Sequence, residues 1–194
     1  MPTARDLLLA RVMEHVATSG IGSASLRELA EAVGSSHRML IYHFGSRDGL
    51  VAAVVASMED QQRVTLARIA DRAGSPAEVI TEQWPELTSP AVLPFVRLFF
   101  EVLAQASYGR PGTDGFLDRL TEPWLDTAAG VAERIGAVVD RDEIRLGVAV
   151  VRGLLIEVLA SGDTGPATAS LERFVQMLEL RMLGRPCCGA RGGS

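Results

Sequence analysis

SLRELAEAVGSSHRMLIYHF, residues 25–44, reads as two short helices around a glycine, and that reading decides the fold. Ser25-Leu26-Arg27-Glu28 is a capping box: the serine oxygen takes a backbone N–H at the start of a helix while the glutamate reaches back to the serine's own N–H. Leu26, Leu29, Ala30 and Val33 give that helix one apolar face. Gly34 is placed to end it in the left-handed conformation that other residues avoid, and Ser36 then caps the next helix. On a helical wheel Leu40, Ile41 and Phe44 fall on one side and read as core. Arg38, Met39, Tyr42 and His43 fall on the other, with His37 in the first turn. Those outer side chains are of the kinds that reach base edges, thymine methyls and phosphates. Two short helices joined at such a turn form a helix-turn-helix, whose second helix enters the major groove. The pattern alone leaves a plainer reading open, because helix pairs joined at glycine recur in all-α proteins, with Tyr42 and His43 as surface residues and Arg38 as a solvated charge.

Working outward, Leu8, Leu9, Val12, Met13, Val16 and Ala17 recur at three- and four-residue spacing and predict a first amphipathic helix that stops near Ser19-Gly20. A long helix is expected from Ser46 to about Arg72. Ser75-Pro76-Ala77-Glu78 starts another, with a serine cap and proline in the first turn. Further starts are expected at Ser89-Pro90, near Thr113-Asp114, at Asp140-Arg141-Asp142-Glu143 and at Gly165-Pro166. The total is about nine helices, with no internal repeat and no alternating strand pattern.

The composition sets bounds. A chain of 194 residues, 47% hydrophobic, holds one domain, or one small and one medium domain, around a substantial core. No apolar run approaches the ~18 residues of a membrane span, and MPTARDLLLARVMEHV mixes charge through its apolar positions unlike a signal peptide; a cytoplasmic location is expected. Cys187 and Cys188 are adjacent in GRPCCGARGGS, a tail expected to be disordered. Neighbouring cysteines bridge only in a strained ring, so no structural disulfide is expected. His15, His37 and His43 lack the spacing and carboxylate company of a ligand set, and His15 reads as a surface or packed histidine. No metal and no cofactor is expected. The net charge of −5 weighs against nucleic acid only until the chain is divided. Residues 1–50 balance Arg5, Arg11, Arg27, Arg38 and Arg47 against Asp6, Glu14, Glu28, Glu31 and Asp48, and the whole deficit falls later. Binding to DNA depends on the local field at the docking face, so two modules with different partners are indicated.

SASLRELAEAVGSSHRMLIYHFGSRDGLV, residues 23–51, resembles the DNA-binding signature of the tetracycline-repressor-like (TetR) family. The shared features are a capped helix, Ala-x-x-x-Gly, a short recognition helix ending in Tyr-His-Phe, then Ser-Arg and a long helix. The likeness runs over about residues 7–55. It implies an all-α chain with a three-helix DNA-binding domain at 1–48 and a helical ligand-binding and dimerisation domain at 49–184, followed by a tail at 185–194. Carried over by position, it implies phosphate contacts from Ser25, Arg27, Tyr42, His43 and Arg47. Base readout would fall to His37, Arg38 and Met39, with Ser36 beside them. The chain departs from the family pattern at Ser35, Arg38, Met39, Ile41 and Gly49; the last is expected to weaken the first turn of the long helix by up to ~1 kcal/mol.

Beyond the reader, Trp84, Phe95, Phe99, Phe100, Leu103, Tyr108, Phe116, Leu120 and Trp124 concentrate the aromatics, with Pro123 expected to kink a helix beside Trp124. These residues, with Arg152, are the candidate wall of a cavity for a mostly apolar or aromatic effector; for most of them plain core is the competing reading. Arg152 and Glu157 read either as pocket polar groups or as interface charges. Val148, Val151, Leu155 and Val158 on one helix, with Leu171, Phe174, Val175 and Leu178 on the last, are the candidate dimer face, since both helices are apolar on more than one side. The expected function is a homodimeric repressor released from a palindromic operator by a small molecule. An all-helical interaction protein and an enzyme using the C-terminal pocket are the alternatives, the latter lacking any histidine base in that half.

Overall fold

A computed structural model describes residues 2–21, 24–111 and 113–183, and over these the chain is all-α. The helices are α1 (Ala4–Ser19), α2 (Leu26–Ala32), α3 (His37–Phe44), α4 (Arg47–Ala70), α5 (Pro76–Leu87), α6 (Leu93–Ser107), α7 (Glu122–Arg134), α8 (Arg141–Ser161) and α9 (Gly165–Leu183), with a single 3-10 turn at Leu117–Arg119. Cys187, Cys188 and the expected tail at 185–194 lie outside the described residues.

Short polar side chains set most of the helix starts. Ser25 and Glu28 form the reciprocal capping box, and Asp140 with Glu143 repeats it on α8. Ser36, Ser46 and Ser75 each accept a backbone N–H from the third residue of the following helix. Gly34 takes φ 63°. The N–H of Ser35 then reaches the carbonyl of Ala30 at 2.8 Å and that of Gly34 reaches Glu31 at 3.1 Å, closing α2 with both bonds of a Schellman motif.

Two expected starts are displaced, and one expected kink is itself a start. Ser89-Pro90 sits in the turn ahead of α6, which begins at Leu93. Thr113 is buried and donates its hydroxyl to the Arg110 carbonyl at 2.7 Å, so the Thr113-Asp114 stretch leads only to the 3-10 turn. Pro123 stands in the first turn of α7 and starts that helix where a kink was expected, because a proline there gives up an N–H that has no partner in any helix.

The core of the first three helices does not close on itself. Leu8, Val12 and Val16 of α1, Leu29 of α2 and Leu40 and Phe44 of α3 pack in one cluster with Leu50, Val51, Val54 and Val55 of α4 and with Phe95, Leu98 and Val102 of α6. A second cluster joins Trp84 and Leu87 of α5 to Val96 of α6, Leu155 and Val158 of α8, and Ala167 and Leu171 of α9. A third, with Leu66, Ile69, Val79 and Val131, ties the far end of α4 to α5 and α7.

Gly49 has a steric reason that helix propensity does not register. A Cβ added there would lie 2.2 Å from the carbonyl oxygen of Phe44, a backbone atom fixed by the tight turn in which Ser46 N–H bonds that same oxygen at 2.8 Å. Propensity alone makes Gly49→Ala stabilising by up to ~1 kcal/mol. The contact reverses the sign, and Gly49→Ala is expected to destabilise by about 1–3 kcal/mol, read as a lower midpoint in urea or thermal unfolding.

Candidate nucleic-acid interface and effector cavity

The exposed face of α3 is built by two anchors. Leu40 is fully buried and Phe44 nearly so, with the Arg5 guanidinium carbon 5.1 Å from the Phe44 ring centroid. With those side chains fixed inward, His37, Arg38 and Met39 of the first turn and Tyr42 of the second project outward, Tyr42 at 79% exposure. The side chains of His37 and Arg38 form no hydrogen bond or ion pair among the described residues. Ser36 is spent on the cap, its Oγ accepting from Met39 N–H at 3.2 Å. Ile41, expected in the core, is 41% exposed and belongs to the outer face. The short helix has room for only two inward side chains, and positions 40 and 44, one turn apart, take them.

Of the other sequence candidates, Ser25 and Arg27 are both exposed at the start of α2, Ser25 Oγ accepting from Glu28 N–H at 3.3 Å. The backbone N–H of Ser25 holds the Glu28 carboxyl below its usual pKa, at 2.7 Å. His43 is half-buried; its ring meets Tyr42 edge-on at 4.9 Å, and its buried Nε2 has no hydrogen-bond partner. Arg47 is turned inward. Its Nε donates to the Ala24 carbonyl at 3.0 Å and its guanidinium lies 3.6 Å from Glu101 of α6 and 3.9 Å from Asp48. It therefore ties the segment before α2 to the starts of α4 and to α6.

A cavity of about 200 Å³ lies among α4 to α9. Its wall is mostly apolar, from Met58 and Leu66 of α4, Phe95, Val96, Phe99 and Phe100 of α6, and Ile144, Val148 and Val151 of α8. Polar groups enter from Glu59, Gln62, Gln83, Glu143 and Arg152. Glu59 accepts from Trp124 Nε1 at 3.0 Å, and burial pushes its carboxyl above the ordinary carboxylate range. Arg152 donates to the Leu120 carbonyl and to Thr121 Oγ1, and its guanidinium lies over Phe99 at 5.4 Å; burial lowers its pKa. Among the described residues no group of three or more His, Cys, Asp or Glu is placed to hold a metal ion, and no helix is long and apolar enough to cross a membrane.

The sequence candidates for the wall divide in two. Phe95, Phe99, Phe100, Trp124 and Arg152 line the cavity. Trp84 is in the second core cluster, its Nε1 bonded to Thr168 Oγ1 at 2.9 Å; Leu103, Phe116 and Leu120 pack in or against the first; Tyr108, at the end of α6, is 83% exposed. Aromatic density marks where apolar packing is, and cannot tell a cavity wall from solid core. The contribution of α4 was missed. Its signal was Val55, Met58, Glu59, Gln62 and Leu66, a second stripe at three- and four-residue spacing in which polar residues interrupt apolar ones.

The residues expected at the dimer face lie mostly inward in the single chain. Val148, Val151, Leu155, Phe174 and Leu178 line the cavity, Val158 and Leu171 are buried in the second cluster, and Val175 is half-buried. Both helices carry two apolar stripes, and the bulkier one turns inward. The outward stripe is Leu146, Ala149, Gly153, Ile156 and Ala160 on α8, with Met177 and Leu180 on α9; Leu180 is 71% exposed. Glu157 is exposed near that stripe.

Residues 8–54 match the family model of bacterial regulatory proteins of the tetR family. No curated protein matches the chain. Among solved structures, a protein from Rhodococcus sp. assigned to the TetR family of transcriptional regulators is 24% identical, with 92% of this chain and 97% of that one covered at a TM-score of 0.67. A TetR-family transcriptional regulator from Pectobacterium atrosepticum is 20% identical over 94% and 95% of the two chains, TM-score 0.68. Thermus thermophilus FadR, a TetR-family transcriptional repressor in complex with lauroyl-CoA, is 15% identical over 97% of this chain and 100% of its own, TM-score 0.60. Residues 8–54 thus carry the N-terminal domain of the tetR family of bacterial regulatory proteins, and across its described residues the chain has the fold of solved regulators of that family.

Proposed function

We propose that this protein is a homodimeric repressor that leaves a palindromic operator when a small, mostly apolar or aromatic effector fills the cavity. The observation that carries the reading is that one helix, α6, serves both sites. Phe95, Val96, Phe99 and Phe100 face the cavity, and the next residue, Glu101, meets Arg47, which holds the segment leading into α2. An effector that moves α6 therefore acts on the reader directly. The Thermus thermophilus protein bound to lauroyl-CoA supports an effector with a long apolar part.

In this reading His37, Arg38 and Met39 meet base edges, Arg38 forking onto guanine and Met39 touching a thymine methyl. Ser25, Arg27, Tyr42 and His43 hold phosphates and set the register. Arg47 acts as the tie to α6. The outward stripes of α8 and α9 pair across a two-fold axis as a four-helix interface, which sets two α3 helices at half-sites ~34–36 Å apart. The effector shifts the population toward a head spacing that misfits the operator, by no more than its difference in affinity for the two states. A chromosomal reader of this kind works in the cytoplasm and needs no catalytic group.

Selection of bound duplexes from a random pool is expected to enrich a palindrome. Arg38→Ala should then weaken the selected site by about 1–3 kcal/mol and relax its sequence at one position per half-site. Tyr42→Ala should weaken all sequences alike. Failure of the pool to enrich at low salt, with a folded dimer, would sink the reader assignment. Ile156→Glu with Leu180→Glu is expected to yield a folded monomer in sedimentation that no longer binds the operator; a persisting dimer would move the interface elsewhere. Glu101→Gln is expected to reduce the loss of operator affinity caused by an effector several-fold while leaving effector affinity within about twofold. An unchanged response would remove α6 from the coupling.

A further inference from the structure

Two amides in the cavity wall are left with polar atoms that nothing satisfies. Gln62 of α4 and Gln83 of α5 are 8% and 9% exposed, and Gln62 Oε1 and Gln83 Nε2 are buried without a hydrogen-bond partner. Buried amides are almost always paired, because the water they gave up must be replaced. Leu66 of α4 and Val79 of α5 share the third core cluster, and the two helices are joined by a short turn. Gln62, one turn from Leu66, and Gln83, one turn from Val79, both line the cavity. An amide turned over by 180° exchanges its oxygen and nitrogen. As they stand, the pair presents one acceptor, Gln62 Oε1, and one donor, Gln83 Nε2, and turning both over keeps one of each.

The charged groups on the same wall are already engaged. Glu59 is held by Trp124 Nε1, Arg152 by the Leu120 carbonyl, Thr121 Oγ1 and the face of Phe99, and Glu143 by Arg181 at 2.9 Å and the Asp140 N–H. Glu59 and Arg152 lie close enough to feel each other's charge. An ionic ligand head would enter an apolar cavity in which the opposite charge is committed elsewhere, and an unpaired ion in such a place is costly.

We propose that the effector is an uncharged molecule, apolar over most of its length, whose polar end carries a hydrogen-bond donor and acceptor side by side, as a carboxamide does, and that Gln62 and Gln83 bind that end. The proposal rests on the reading of this cavity as the effector site. A ligand carbonyl takes the Gln83 N–H and a ligand N–H gives to Gln62, so both orphaned groups are satisfied at once.

The test uses the full-length protein and four straight-chain probes: octanamide, 2-nonanone, octanoate and octylamine, compared by thermal shift and by displacement of a fluorescent apolar dye. Octanamide is expected to bind about tenfold more tightly than 2-nonanone, which has only the acceptor, and more tightly than either ion. In the double variant Gln62→Leu, Gln83→Leu, that tenfold preference is expected to vanish while 2-nonanone still binds. The variant's own melting point, expected to equal or exceed that of the parent because two unsatisfied amides are gone, shows that it is folded. Octanoate or octylamine binding as tightly as octanamide, or an amide preference that survives in the double variant, would overturn the proposal and leave the cavity reading standing. Binding of none of the four would overturn both.

Discussion

The start of α4 is packed from two directions at once, and the rest of the molecule depends on that. Leu50, Val51, Val54 and Val55 are all buried in a cluster that includes α1, α2 and α3 on one side and α6 on the other. The tight turn before them leaves no room for a side chain at position 49, so α3 and α4 are joined at a fixed angle by backbone contact. A three-helix unit of fewer than fifty residues buries little surface of its own and is marginal alone. Here it borrows α4 and α6 to complete its core, and the outer face of α3 is held rigid by helices that also wall the cavity.

The reader was legible because its signals are local. A serine followed three residues later by glutamate, a glycine at the left-handed position and a second serine cap act over three to five residues, and each is found bonded as the sequence indicated. Tyr42 points outward as the wheel indicated, but Ile41 does too. A wheel gives directions around an axis, and the width of the buried sector is decided by the neighbouring helices. Arg47 shows the same limit from the opposite side. Resemblance marks it as a phosphate contact, yet its partners, Ala24 and Glu101, are 23 and 54 positions away, and no local pattern reports them.

The C-terminal half was legible as helices and illegible as sites for one physical reason. Cavity wall, core and subunit interface are all made of the same apolar side chains, so α8, with Val148, Val151 and Leu155 on one stripe and Leu146, Gly153 and Ile156 on another, offers two equivalent faces to a reader of sequence. What distinguishes them is bulk. Branched and larger side chains fill the interior, whereas alanine and glycine on the outward stripe allow helices to approach closely. Polar residues within an apolar stripe are the other discriminator. Gln62 and Gln83 sit where core would favour leucine, and buried amides without partners are hard to explain as packing alone.

The proposed switch is constrained by the size of the energies at each junction. Coupling between two sites is typically about 1–3 kcal/mol. Separating fully buried residues such as Leu50 or Val54 from their neighbours costs more than that, since losing even one buried leucine side chain costs ~2–5 kcal/mol. The junction of α4 with the reader therefore stays intact through the transition. The Arg47 pair with Glu101 is partly exposed, and pairs of that kind contribute only about 0–1 kcal/mol. It is a contact that an effector can afford to break and remake. In the proposed switch, an effector in the cavity displaces α6 where Glu101 meets Arg47, the reader follows as a rigid body, and the change appears as a new spacing between two heads with each α3 unaltered.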